Sequence, residues 1–301
     1  MKSMSHIRQT AGDRVFSVFV YVIVTAFFLM VAYPLYFVII ASFSDPNAVS
    51  SGKVLLWPIG VNFEGYRRVF QDALIMSGYR NTIFYTVVGT LFNLLLTLPA
   101  AYALSKKDLV GRTFLMAVFT FTMYFGGGMI PTYLLIKNLK LLDSWWVLII
   151  TSGVSCYNLI IARTFFQNGV PAELEEAAMI DGAGRLRTFL LIVLPLSKAL
   201  IAVLALYYGI ARWNSWFTGM IYLNSRAKAP LQLILRDILI ENQQMAMDDT
   251  GVGMEAEDLR LKLATLLKYC LIIVSSAPVL IVYPFLQKYF NKGVMLGSIK
   301  G

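Results

Sequence analysis

The chain has 301 residues, of which 58% are hydrophobic, and its formal net charge is +9. This apolar fraction exceeds the roughly 45–50% of an ordinary soluble domain. The mean hydropathy of +0.67 likewise excludes such a domain. Nucleic-acid binding is a poor explanation of the positive charge, because no basic patch with interleaved aromatic residues lies on a soluble segment. One histidine and two isolated cysteines make no metal site.

Six long apolar stretches divide the chain, and each is long enough to cross a bilayer as a helix. About 20 apolar residues span the hydrocarbon core, and a helix satisfies its own backbone hydrogen bonds in lipid. The stretches are Val15–Ser42, Thr82–Leu104, Thr113–Ile136, Trp145–Phe165, Leu196–Tyr222 and Leu263–Phe290. The sequence therefore predicts an all-α integral membrane protein with six transmembrane helices in a single domain over residues 1–301.

The distribution of basic residues predicts the orientation of these helices. Six helices place both termini on one side of the membrane, and basic residues near helix ends mark the cytoplasmic side. Such residues lie in the short second loop and after the last stretch: Lys106, Lys107, Arg112, Lys288 and Lys292. Lys137 and Lys140 favour the opposite orientation weakly. Both termini are therefore expected in the cytoplasm, with external loops at about 43–81 and 223–262 and a cytoplasmic tail at 288–301.

The two external loops have different composition. In the first, Asn62–Phe70 is predicted to be a short helix at the membrane interface, because Phe63, Tyr66 and Arg67 suit that depth. The second has an acidic, methionine-rich middle part, Glu241–Asp258, in which glycines interrupt regular structure. It is therefore predicted to be a long, flexible loop.

The cytoplasmic loop between the fourth and fifth stretches, at about 166–195, is the most patterned segment. Glu176, Ala177 and Ala178 are followed after three residues by Gly182, and after nine more by Ile192, Leu194 and Pro195. Pro171 suits the first position of a helix. Acidic residues follow it in the first turns, where the helix dipole favours them. Gly182 and Gly184 are predicted to end this helix, and Arg185–Leu191 to form a second short one.

One face of the first predicted helix is suited to close contact with another surface. Leu174, Ala177, Ala178 and Asp181 recur at the spacing of one helix face. Three of these four side chains are small or short, so a partner can approach closely. The segment is therefore predicted to dock against something in the cytoplasm.

Polar residues inside the apolar stretches indicate a possible pathway for a solute. Such residues are costly in lipid and face protein or water, and amides and flat aromatic faces suit sugars. The candidates are Tyr124, Asn158, Arg212, Trp213, Asn214 and Trp216. The alternative is hydrogen bonding and packing between helices, which is favoured for Asn93 and Thr97. Arg212 has two further alternatives, an ion-pair strut or a contact between subunits.

With this loop spacing and six stretches, nearly the whole chain resembles the permease subunits of type I, binding-protein-dependent ABC importers. It is most similar to the second permease of carbohydrate importers, such as the smaller permease of the maltose system. The basic, glycine-rich tail from Lys288 to Gly301 looks like the ending of that subfamily. The run Phe125–Thr132 is similar to permeases that serve complex plant-derived oligosaccharides.

The resemblance implies a transport subunit in the bacterial cell membrane, with no catalytic residues of its own. It implies that the loop is a coupling helix in a cleft of a cytoplasmic ATPase dimer. Glu176, Ala177, Ala178 and Gly182 would form the contact, while Ile192, Leu194 and Pro195 would brace the hinge. The other implied partners are a second homologous permease, an extracellular solute-binding protein, a carbohydrate substrate and membrane lipid.

The resemblance also assigns ATP and Mg to the partner ATPase, with no cofactor in this chain. The sequence agrees, because a phosphate-binding loop needs G-x-x-x-x-G-K-[ST]. The nearest match runs from Gly60 to Gly65, but Tyr66 and Arg67 stand where the motif requires Lys and Ser or Thr. The second external loop would contact the binding protein through Met245, Met247, Asp249 and Met254.

Two alternatives to a sugar importer stay open from the sequence. One is the same architecture for another solute, such as an amino acid, a phosphonate or a polyamine. The other is a stand-alone secondary transporter, whose binding sites lie at the midplane on broken helices. No acidic residue lies in the middle of any stretch, which disfavours the second alternative.

Overall fold

The computed structural model describes residues 10–247, 264–265 and 267–284, with side chains omitted for 242–247. All regular structure in these ranges is helical. The helices are α1 (Ala11–Ser42), α2 (Pro46–Ser50), α3 (Glu64–Gln71), α4 (Ala73–Ser105), α5 (Arg112–Tyr124), α6 (Met129–Asn138), α7 (Trp145–Ile150), α8 (Cys156–Asn168), α9 (Ala172–Ile180), α10 (Arg185–Thr188), α11 (Leu194–Leu196), α12 (Lys198–Trp213), α13 (Trp216–Tyr222), α14 (Leu231–Met247) and α15 (Leu267–Pro284). A π-helical turn, Phe189–Val193, joins α10 to α11, and a short 3-10 helix, Arg226–Lys228, precedes α14.

One compact unit consists of Met1–Val69 with Asn242–Val274. Its long helix α1 begins with a capping box, in which Thr10 and Asp13 satisfy each other's backbone N–H groups. The most apolar part of α1 has no buried residues, so its surface must be covered by lipid or by other chains. Among the described residues of this unit, it is the C-terminal end of α1 that packs into a core, where Ile40 and Ala41 join Val54.

Residues 43–69 of the segment predicted to be the first external loop belong to this unit. The predicted interface helix is present as α3, shifted by one or two residues from the predicted bounds. The Tyr66 hydroxyl on α3 lies 2.7 Å from the Ser42 hydroxyl at the end of α1. Phe43 stacks on the Tyr66 ring with centroids 5.0 Å apart. These contacts hold the loop against the end of α1.

The second compact unit consists of Phe70–Glu241 with Ser275–Gly301. Its axis is α4, against which α8 and α12 pack. The main core brings together buried residues from these three helices and from the π-helical turn, among them Leu98, Ala101, Leu159, Leu204 and Val193. A second core forms around Tyr85 of α4 and the buried residues of α7.

Helix α4 begins at Ala73, nine residues before the predicted stretch. Asp72 caps it by accepting a hydrogen bond from the Leu74 N–H at 2.8 Å. The polar first turns are stabilised from within the unit, because the buried Asn81 amide donates to the carbonyls of Ala227 and Ala229 at 2.8 and 2.9 Å. The predicted stretch began only at Thr82, because it was defined by hydropathy and these first turns are polar.

Three helices in the described ranges are long and apolar enough to cross a membrane: α1, α4 and α15. Two bent pairs raise the number to five if each pair is one span. The first pair is α5 with α6, bent by 112° at the glycine run before Met129. The second is Arg185–Leu196 with α12, bent by 82°. The predicted third stretch therefore contains the first bend, whereas the second bend lies at the beginning of the predicted fifth stretch, which is divided into α12 and α13.

The predicted fourth stretch, Trp145–Phe165, is not one helix. It is divided into α7 and α8 by the non-helical residues 151–155, and neither piece is long enough to cross a membrane alone. The second external loop is also different from its prediction, since α14 makes its first half helical. Asp249, Met254, the tail 288–301 and its Lys288 and Lys292 lie outside the described residues.

Candidate functional site

The predicted coupling segment, residues 171–195 and called the coupling segment from here on, begins with α9. Pro171 is the residue before the first helical turn, one position earlier than predicted. The helix ends in a Schellman motif, in which the Gly182 N–H donates to Met179 O at 3.0 Å and the Ala183 N–H to Ala178 O at 2.8 Å. Gly182 has a φ of +78°, a conformation that glycine adopts without strain.

Gly184 does not end α9 as predicted, because it precedes the first turn of α10 with extended backbone. The predicted second helix over Arg185–Leu191 continues as a π-helical turn. Pro195 gives the physical reason, since it has no N–H to donate to the carbonyl four residues earlier. The Leu194 N–H instead donates to Phe189 O, five residues back. The loop therefore enters α12 through a turn of altered register.

Most of the predicted contact residues of the coupling segment are accessible. Glu176, Ala177 and Gly182 are exposed, whereas Ala178 is buried. Ile192 and Leu194 are half-buried and Pro195 is exposed. The sequence reasoning missed two exposed apolar side chains beside them, Met179 and Ile180, which are 56% and 86% exposed. An isoleucine in this polar loop was the available signal.

Two ion pairs tie the coupling segment to the end of α4 and the loop after it. The Lys106 ammonium donates to the Glu175 carboxylate, which also accepts from the Tyr102 hydroxyl at 3.4 Å. Arg185 pairs with Asp108, and this hydrogen bond lowers the pKa of the Asp108 carboxyl. These partners lie far apart in the chain, so the sequence did not predict them.

A polar cavity of about 660 Å³, the second candidate site, lies within the second unit. It is lined by the non-helical residues between α7 and α8, the first turn of α8, and α12 with the residues after it. The polar lining residues are Thr151, Ser152, Ser155, Tyr157, Asn158, Tyr207, Tyr208, Arg212, Ser215 and Thr218. Two of the predicted pathway residues, Asn158 and Arg212, therefore meet at one cavity.

Arg212 is buried, with 5% of its surface exposed, and it holds the end of α7. Its Nε donates to Asn93 Oδ1 at 3.1 Å. Its Nη2 donates to Ile149 O at 2.8 Å and Ser152 O at 3.0 Å, and its Nη1 donates to Leu148 O. The last four carbonyls of any helix lack partners within that helix, so Arg212 satisfies the carbonyls that the short α7 leaves free.

A second layer of side chains completes this arrangement one helical turn away. The Asn93 amide donates to Gly153 O at 2.7 Å and to Ser152 O. The Tyr208 hydroxyl bonds Thr97 Oγ1 at 2.7 Å and accepts the Ser155 N–H at 3.2 Å. Asn93 and Thr97 on α4 and Tyr208 and Arg212 on α12 are each four residues apart. Asn93 and Thr97 thus bond between helices, as the packing alternative predicts.

The other predicted pathway residues lie away from the polar cavity. Trp213 is buried, donates from its indole to Ser275 O at 3.1 Å, and lines a separate apolar cavity of about 510 Å³. The exposed Asn214 donates to Ile210 O at 2.9 Å. Trp216 lies under the Arg236 guanidinium, and Tyr124 is 74% exposed at the end of α5. All partners of Arg212 among the described residues are neutral, which gives no support to an ion-pair strut.

Residues 73–296, which contain the coupling segment and the polar cavity, match the family "Binding-protein-dependent transport system inner membrane component". The chain belongs to this family of membrane transport subunits. It is 42% identical over 291 residues to the polygalacturonan/rhamnogalacturonan transport system permease protein YtcP of Bacillus subtilis (strain 168), covering 96% of this chain and 99% of that protein. It is 37% identical over 302 residues to protein LplC of the same strain, covering 100% of both chains.

A solved structure has the same fold. The chain superposes with a TM-score of 0.84 and 36% identity on a chain from the crystal structure of a bacterial ABC transporter involved in the import of the acidic polysaccharide alginate. The match covers 94% of this chain and 99% of that chain. The predictions of an ABC importer permease and of a membrane location are confirmed.

Proposed function

We propose that the chain is the permease subunit of an ATP-driven importer that moves a sugar or oligosaccharide delivered by an extracellular solute-binding protein. One observation carries this proposal: the 42% identity, over almost the full length of both chains, to a permease named for polygalacturonan/rhamnogalacturonan transport. The maltodextrin transport system permease protein MdxG of Bacillus subtilis (strain 168), 26% identical over 290 residues, supports the same general class of substrate.

The architecture we propose has six spans with both termini in the cytoplasm. The three long helices, the bent pair of α5 with α6, and α12 account for five, and α7 with α8 would supply the sixth. Non-helical backbone is tolerated at membrane depth only where it is buried in protein or lines a water-filled cavity. The break at 151–155 meets this condition, because Arg212, Asn93 and Tyr208 bond its backbone and it lines the polar cavity.

The coupling segment is proposed to dock against the partner ATPase, which would bind ATP and Mg. Glu176, Ala177, Ala178 and Gly182 would form the contact, and the exposed Met179 and Ile180 would add apolar area. The proposed hinge is the π-helical turn with the two residues after it, and it would be braced by Ile192, Leu194 and Pro195. Because Glu175 holds Lys106, force on α9 would reach α4 directly, and α4 lies beside α12 and the polar cavity.

The remaining partners are a second homologous permease and the solute-binding protein. The sequence assigns Met245, Met247, Asp249 and Met254 to contacts with the binding protein. The pathway for the sugar is proposed to include Asn158 and Arg212 at the polar cavity. Tyr124 and Trp216 remain candidates for the pathway because their aromatic faces are accessible. The hydrogen bonds of Trp213 and Asn214 favour a role in packing.

Reconstitution with all partners tests the proposal. The chain, its second permease and its ATPase are purified together in proteoliposomes, and binding proteins loaded with oligosaccharides, amino acids, phosphonates or polyamines are added. We expect loaded oligosaccharide to stimulate ATP hydrolysis and to be taken up. Stimulation and uptake with only a non-sugar solute would overturn the proposal.

A further inference from the structure

The polar cavity has the chemistry of a contact site for acidic sugars. We infer that Arg212 gives this cavity a preference for uronate-bearing sugars over neutral ones. This inference rests on the proposed function, because it names the substrate class of the same pathway. The class is defined by a carboxylate beside the hydroxyl groups that every sugar presents.

The charge in the cavity wall is the first observation. Among the described residues that line the cavity, Arg212 is the only one with a formal charge, and the others are neutral, eight of them with hydroxyl groups. The guanidinium is ionised at any relevant pH. A solute in the cavity therefore meets a wall with a net charge of one positive unit, which attracts an anion more strongly in a protein interior than in water.

The bonding of Arg212 leaves this charge uncompensated. Its partners are three backbone carbonyls and the Asn93 amide oxygen, which stabilise a cation but carry no opposite charge. No acidic side chain among the described residues pairs with it. These bonds use four of the five N–H donors of the guanidinium. The cation is thus fixed in place beside the cavity, and no described side chain neutralises its charge.

A partnerless hydroxyl group in the same wall is the second observation. The Ser215 Oγ atom is buried and has no hydrogen-bond partner among the residues that the structure describes, and Ser215 lines the cavity three residues after Arg212. Buried polar atoms in proteins are normally satisfied by protein, water or ligand. The Asn158 amide in the wall can both donate and accept. The cavity volume is in the range of about 300–1,000 Å³ that small-molecule sites occupy.

The relatives point to the same substrate class independently of this geometry. Polygalacturonan is a polymer of a uronic acid, and YtcP is named for its transport. The transporter that shares this fold imports a polysaccharide described as acidic. A fixed positive charge in the wall of the pathway is the expected counterpart of such solutes.

The test compares an acidic sugar with its neutral ester in the full reconstituted importer. The probes are a trigalacturonide and the same trisaccharide fully methyl-esterified, each delivered by saturating binding protein. Because one binding protein serves all variants, its own preference cancels when acid-to-ester uptake ratios are compared. We expect Arg212→Gln to lower this ratio roughly fivefold to tenfold, and Arg212→Lys to keep most of it.

Two control variants separate charge from structure. Arg163→Gln removes another arginine that donates to a backbone carbonyl, Leu104 O at 3.0 Å, outside the cavity, and its ratio should equal that of the wild type. Thr218→Asp adds a negative charge to the cavity wall while Arg212 keeps its bonds. It should lower the acid-to-ester uptake ratio, whereas the uncharged change Thr218→Asn should leave this ratio close to that of the wild type. This pair decides the question if Arg212→Gln fails to assemble.

The outcomes distinguish the inference from the proposed function. An unchanged ratio in Arg212→Gln and Thr218→Asp would overturn the inference and leave a sugar importer. Equal loss of both sugars in Arg212→Gln, with an unchanged ratio in Thr218→Asp, would reduce Arg212 to a structural tie. Uptake of neutral oligosaccharides alone by the wild type would also overturn it. Uptake of no sugar by the wild type would instead contradict the proposed function.

Discussion

Gly89 on α4 lies directly against the side chain of Arg212 on α12. A Cβ atom at position 89 would be 2.9 Å from Arg212 Nε and 3.1 Å from its Cδ. Only glycine leaves room for the guanidinium to pass α4 and reach Asn93 and the carbonyls of α7. The geometry of the break between α7 and α8 therefore depends on the absence of a side chain at position 89.

Gly89→Ala is expected to destabilise the protein by about 1–3 kcal/mol, because overpacking forces buried groups to shift. Gly209→Ala on α12 is the matched control, since its Cβ atom would meet the nearest atom at 3.9 Å. This control should be neutral or slightly stabilising, because alanine favours helix over glycine by about 1 kcal/mol. Thermal unfolding of both variants in detergent measures the difference. Equal stability would contradict the close contact.

The left-handed conformation of Gly182 gives a second prediction. Gly182→Ala should weaken the end of α9 by about 1–2 kcal/mol, because an L-residue is strained at this φ. No atom lies within 4 Å of its Cβ position, so the effect comes from the backbone alone. Transport should fall while the amount of inserted protein is unchanged. Gly184→Ala, where φ is −68°, should transport normally, and an equal loss in both variants would refute this explanation.

The ion pair between Lys106 and Glu175 is expected to link the coupling segment to α4. Glu175→Lys should reduce the uptake obtained per ATP hydrolysed, because like charges would push α9 away from α4. The double variant Lys106→Glu, Glu175→Lys should recover most of it. The coupling energy from the mutant cycle should be about 0.5–1 kcal/mol, as for other partly exposed pairs. Failure of the double variant to exceed either single variant would exclude a direct link.

The carboxylate of Asp143, in the loop before α7, gives a prediction about pH. It accepts from Lys228 Nζ at 2.9 Å and from the backbone N–H groups of Ser225 and Asn224 at 3.0 and 3.1 Å. The hydrogen bond from Lys228, followed by the one from Ser225, lowers its pKa. Its stabilisation is therefore complete above the unfolded value of about 3.9 and is lost as the pH falls through the lower folded value.

Asp143→Asn should be less stable than the wild type at pH 7, by about 0.5–1 kcal/mol for this partly exposed pair. Asparagine keeps the shape and tolerates the positive φ of 51° at this position. The difference between the two proteins should shrink only below about pH 4. Thermal unfolding from pH 3 to pH 7 measures it, and a difference that vanished near pH 6 would assign the stabilisation to another group.

The sequence predicted those features that depend on nearby residues. Pro171 predicted the start of α9 to within one residue, and Gly182 predicted its end, because capping is decided within one turn. The interface helix after Asn62 was predicted for the same reason. The role of residues 171–195 in coupling stays a prediction. The break between α7 and α8 was missed, because residues 151–155 are apolar or small and do not lower the average hydropathy enough.

The contacts that define the polar cavity could not be predicted from local pattern. Arg212 meets carbonyls more than 60 residues away, and Glu175 meets a lysine 69 residues away. Such pairing is decided by how α4, α8 and α12 pack. The sequence identified Arg212 and Asn158 as unusual polar residues in apolar stretches, but only the fold brings them to one cavity and takes Trp213 away from it.

The most direct test of the central claim is uptake of labelled oligosaccharide into proteoliposomes that hold the chain with its second permease and ATPase. Our account predicts uptake only when ATP, loaded binding protein and all subunits are present. Glu176→Lys, at an exposed position of the coupling segment, should abolish this uptake although the chain still inserts. Uptake by this chain alone under an ion gradient without ATP, or normal uptake by Glu176→Lys, would contradict it.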